Sequence, residues 1–255
     1  MRVANAYTSL VESPHAHPDT GLGGKLFYVG ELDEAGRALL VAANITGAAT
    51  LAATADRAAQ KQALRDGVAD FVVNNLDEAL RILKNQLRMR ETVAVCVSLP
   101  PSDVEHEMNE RGVSPDLSRS DVPVALSHEA LMQTAEASII EQDDTPEPVR
   151  DKTPALVTWR VDSALPKDLA KLDEIALACL DSEDWKSRRW LCLSPRYLGR
   201  MAHGLRLLDS DREFAARFID RVSQSAGRDE IKSAVEIVSI FRGHRDEFRF
   251  SPAKP

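Results

Sequence analysis

Apolar positions fall into two regimes along the chain. Up to about residue 125, short apolar runs alternate with longer amphipathic stretches. The runs at 25–29, 48–54, 70–73 and 92–99 have the length and branched content of buried strands, and Thr92–Leu99 is the clearest. Helices are predicted between them. One covers 34–47, with Leu39, Leu40, Ala43 and Gly47 on one side, and one runs from about 57 to 65, ended by Gly67. A third starts at the cap Asn75, with Asp77 and Glu78 in the first turn where the helix dipole favours carboxylates, and runs to about 87. A fourth is capped by Ser102 and ends at Gly112, and a fifth is capped by Ser127. Strands and helices alternating at these lengths predict a parallel sheet covered on both faces.

The pattern then changes. Residues 141–154, EQDDTPEPVRDKTP, hold three prolines and many charges and read as a linker. Ala155–Val161 alternates as one more strand, expected to return to the sheet. The rest reads as helical: 163 or 166 to about 180, a short helix from Ser182, one opening at Ser194-Pro195, one boxed by Ser210 and Glu213 and running to Gly227, and a last one over 228–242. Phe248–Pro252 reads as an extended tail. Residues 1–21, with two prolines before position 20 and little periodicity, read as an N-terminal arm. The expected organisation is thus an arm (1–21), a sheet domain (22–140), the linker (141–154), and a return strand plus a helical C-terminal unit (155–255). Because the tail holds all three tryptophans and five phenylalanines, it is expected to be needed to close the sheet's core.

Composition narrows the function classes. With 44% hydrophobic and 28% charged residues, the chain is expected to fold rather than stay disordered. No apolar run approaches about 18 residues, so no membrane span is expected. The first residues lack a charged-then-apolar signal pattern, so a cytoplasmic location is expected. Cys96, Cys179 and Cys192 lie far apart without metal-ligand spacing and read as reduced thiols; no metal site is expected. Residues 1–150 carry 13 basic against 23 acidic groups, which opposes binding to nucleic-acid phosphates.

One stretch carries a resemblance. From Gly24 to Asp70 the chain aligns without gaps with the nucleotide-binding segment of urocanases, matching at Gly24, Lys25, Leu32, Gly36, Ala38, Ala42, Ala43, Gly47, Asp56, Leu64, Arg65, Gly67 and Asp70. Leu76–Leu80, Glu110–Val113 and Pro115-Asp116 continue it, so residues 24–116 resemble the urocanase family. The resemblance implies an α/β fold, a Rossmann-like parallel sheet with, in this chain, a helical C-terminal extension. It also implies tightly bound NAD, whose nicotinamide ring acts as electrophile toward the imidazole of urocanate.

The departures bear on that activity. A phosphate loop needs glycines so that bare backbone N–H groups meet the pyrophosphate at a helix N-terminus. Here Glu31, Asp33, Glu34 and Arg37 replace family glycines, and Thr54 stands where an acidic residue would grip the ribose. Beyond Asp116 the family's Thr-Asp-Gln-Thr-Ser-Ala-His-Asp-Pro signature is reduced to Leu117–Pro123. No cofactor is expected and no catalytic residue is assigned. The expected function is a non-catalytic protein binding a small ligand or a protein partner, with a homodimer among the options. The alternative is a urocanate hydratase-type lyase or another enzyme with a relocated active site. Candidate ligand-binding residues are Gly30, Glu31, Asp33, Gly36, Thr54, Asp56, Ser98 and Pro100, on the loops after successive strands. His15, His17 and Asp19 have a metal-ligand look but sit in a polar arm. His106, His128, His203 and His244 read as surface or satisfied histidines. The basic segment 185–200, with Trp185 and Trp190, reads as a solvated helix face over core tryptophans or as an anion or partner face.

Overall fold

The structure, a computed structural model, describes residues 2–122, 153–161, 166–198, 204–228, 231, 233–241 and 244–251. The expected Ser127 helix, most of the linker, Ser163, His128, Arg200 and His203 lie outside them. The chain divides into two compact units, one within residues 1–127 and one within 128–255, apart from a short exchange at 196–198.

The first unit holds the expected parallel sheet. Its strands are β1 (Leu26–Glu31), β2 (Ala49–Ala53), β3 (Phe71–Val73), β4 (Val93–Val97) and β5 (Leu117–Ser118), in the order β3-β4-β2-β1-β5. Every pairing is parallel. The connecting helices are α2 (Glu34–Thr46), α3 (Arg57–Arg65), α4 (Leu76–Met89) and α5 (Pro101–Glu110). Side chains alternate across the pleat. Leu26, Tyr28, Leu51, Val95 and Val97 meet Leu76, Leu83, Val104 and Met108 of α4 and α5. Phe27, Val29, Ala52 and Cys96 have the opposite parity and are fully buried on the face of α2. Both faces therefore carry helical cover from within residues 2–122, cover that the expectation assigned to the tail.

The expected arm is instead helix α1 (Arg2–Val11), packed on α2. Its buried residues Ala6, Tyr7, Leu10 and Val11 recur at the 3–4 spacing of one helix face, a signal that the prolines downstream overshadow. Helix α5 begins at Pro101, with Pro100 at the cap and no side-chain cap bond, so Ser102 does not cap it.

The second unit keeps helices, α6 (Pro166–Cys179), α7 (Trp185–Leu198) and α8 (Arg212–Ala226), but adds a sheet of its own. Strands β6 (Pro154–Val161), β7 (Arg206–Asp211), β8 (Val235–Phe241) and β9 (His244–Phe250) pair antiparallel in the order β7-β6-β8-β9. Residues 155–161 thus do not return to the parallel sheet. The expected last helix is strand β8, where Val235, Ile237, Val238 and Ile240 supply the β-branched side chains that a pleated sheet accommodates better than a helix. Phe248-Arg249-Phe250 is extended as expected, within β9. Pro195 lies inside α7 instead of opening a helix. The cap of α8 is Asp211, one residue past the expected Ser210, and accepts from Phe214 N at 2.7 Å.

The tail's aromatics build this second core. Trp159 and Phe218 lie 5.0 Å apart, and Phe214 stacks on Phe218 at 5.7 Å. Trp159 Nε1 and Arg206 Nε both donate to Asp173 at 3.0 Å. Burial nonetheless pushes the Asp173 carboxyl above its usual range, against these two partners. In the basic segment, Arg188 donates to the Leu177 carbonyl at the end of α6, and Trp190 donates to the Leu207 carbonyl. These two side chains support the packing reading of the segment.

Candidate functional site

The direction of chain travel defines where the parallel sheet opens. The connections after β1 and β2 lead to α2 and α3, which share a face through the Arg37–Asp66 ion pair. Those after β3 and β4 lead to α4 and α5 on the other face. Neighbouring strands β2 and β4 therefore send their chains to opposite sides, the topological switch at whose strand ends open α/β sheets bind ligands. Thr54 and Asp56 follow β2, and Ser98 and Pro100 follow β4.

Local hydrogen bonding holds these four residues. Thr54 is buried; its N–H donates to Val97 O at 3.1 Å, and its carbonyl accepts from Gln60 Nε2 at 2.8 Å. Its hydroxyl accepts from Asp56 N at 3.2 Å. The Asp56 carboxylate caps α3 by accepting from Ala58 N at 2.7 Å. Ser98 N donates to Val73 O at 2.8 Å, and Pro100 O accepts from the first turn of α5.

Gly30, Glu31, Asp33 and Gly36 form a second group at the β1–α2 turn. Gly30 sits at a bulge in β1 with φ of +73°, a left-handed conformation that favours glycine. Gly36 is needed for a different reason: a Cβ there would meet the Glu31 carbonyl oxygen at 2.1 Å. The first turn of α2 presses that closely on the end of β1. The Asp33 carboxylate caps α2, accepting from Gly36 N at 2.6 Å.

Arg119, in the single 3-10 turn after β5, completes this group. Its guanidinium donates to both carboxylate oxygens of Asp33, at 3.2 and 3.0 Å, and to the Glu31 carbonyl at 3.4 Å. Burial works against ionisation of Asp33. The bonds from Arg119, Gly36 and Ala35 outweigh it and hold the carboxyl below its usual range. Arg119 was not among the residues expected here; the only sequence signal was its position in the stretch where the family signature breaks down. Arg37 turns to Asp66 rather than to the α2 N-terminus.

The remaining groups are inert or peripheral. Burial, helped by the charge of Glu31, pushes the Cys96 thiol up to about 12. Burial and Glu105 raise the Tyr28 hydroxyl, which donates to Glu105 at 3.2 Å. His17 and Asp19 are exposed and pair with each other, while the His17 backbone bridges to Gly21, and His106 pairs with Glu110. Among the described residues, no cluster of three metal-ligating side chains occurs, and no helix is long and apolar enough to cross a membrane.

Lys25 and Asp116, both family matches, pair at 3.0 Å, and Asp116 also accepts from Leu26 N at 2.9 Å, fixing the start of β1 against the entry to β5. The family model described as the Urocanase Rossmann-like domain matches residues 3–173. This match reaches beyond 24–116 on both sides, taking in α1 and running through β6 into α6. With the strand order, the retained Gly36 and the Lys25–Asp116 clasp in place over well more than half its length, the chain belongs to the urocanase Rossmann-like domain family.

Proposed function

We propose that this protein is a non-catalytic member of its family, one that binds a small ligand or a protein partner and does not use NAD. The observation that carries this reading is the position of Asp33. In a dinucleotide fold the helix N-terminus after the first strand receives the pyrophosphate. Here the chain's own carboxylate takes the Gly36 N–H, and Arg119 pairs with both of its oxygens. A phosphate would have to displace an ionised group from the donors it needs. Thr54 cannot supply a bidentate grip on a ribose, and its hydroxyl already accepts from Asp56 N. The residues at these positions do not fit the dinucleotide.

A ligand at the carboxyl ends of the strands would meet Gly30, Glu31, Thr54, Asp56, Ser98 and Pro100. The charged side chains among these six are both carboxylates, Glu31 and Asp56, so the class that fits is neutral or cationic. The test is calorimetric titration with millimolar NAD, together with loss of urocanate absorbance in the presence of NAD. The expected result is no saturable heat and no absorbance loss. A dissociation constant in the low micromolar range, or steady turnover of urocanate, would overturn the reading.

A further inference from the structure

We draw no further inference here: the strongest candidate, the outer face of the antiparallel sheet, where Leu156, Leu207, Val238 and Ile240 stand half-buried, carries nothing, because Arg160, Arg245 and Arg249 beside it pair within the chain and nothing in the structure shows what covers it.

Discussion

Substituting Gly36 by alanine tests the contact on which the β1–α2 turn is built. The added Cβ would lie 2.1 Å from the Glu31 carbonyl oxygen and 3.2 Å from Asp33 Oδ1. The first clash is with backbone, so no side-chain rotation relieves it. Restoring ordinary contact requires the first turn of α2 to lift from β1 by about 1 Å. That shift breaks or stretches the 2.6 Å bond from Gly36 N to the Asp33 carboxylate, a charge-assisted bond worth about 1.5–3 kcal/mol. It also disturbs the buried contacts of Leu39 and Leu40, for which overpacking strain of about 1–3 kcal/mol is typical. Alanine's better helix propensity returns about 1 kcal/mol. The net expectation is a loss of about 2–4 kcal/mol, read as a lowered midpoint in urea at pH 7 with an unchanged slope. Gly30→Ala is the control: nothing lies within 4 Å of its Cβ, so only the left-handed backbone is strained, at about 1–2 kcal/mol. If Gly36→Ala is as stable as wild type, α2 does not approach β1 this closely and the account of the turn fails.

Arg119→Ala should lower stability at pH 7 by about 0.5–1 kcal/mol, a modest value because the Asp33–Arg119 pair is partly solvated. The Asp33 carboxyl lies below its usual range, so the pair's contribution is fully present above about pH 3.9 and fades as pH falls through the folded value; the gap between wild type and variant should close in acid, and a gap constant down to pH 2 would contradict the assignment. Thiol titration with a disulfide reagent should modify Cys192 quickly in the native protein, while buried Cys96 and Cys179 react only on unfolding; rapid labelling of two or three thiols would argue against these burials. A chain ending at Asp151 should keep a cooperative thermal transition, because both faces of its sheet are covered from within residues 2–122; aggregation without a transition would show that the second unit is required after all.

How legible the fold was depended on the length and regularity of each pattern. Thr92–Leu99 and the capped helix from Asn75 carry long, unambiguous signals, and both formed within a residue or two of expectation. Three of the five residues of Ala49–Ala53 are alanine, so its place between β1 and β4 comes from packing rather than propensity. Residues 235–241 fit both a helical and an alternating template over seven positions, and pairing with β6 and β9 decided between them. The β1–α2 turn was visible as lost glycines, but its chemistry was not. Asp33 reads in the sequence only as a residue in place of a family glycine. Its pairing with Arg119, 86 positions away, exists only once β5 lies beside β1.

The capping of α2 from within the chain has a consequence in mass action. A protein that fills such a position with a diffusible anion gains stability that grows with the logarithm of ligand concentration and vanishes when the ligand is depleted. Asp33 is tethered three residues from the amide it satisfies, so its effective concentration is fixed by the covalent chain and cannot be diluted or competed away at ordinary solute levels. The turn is therefore saturated in every molecule from the moment it folds. On the function proposed above, its melting temperature should carry no dependence on added dinucleotide.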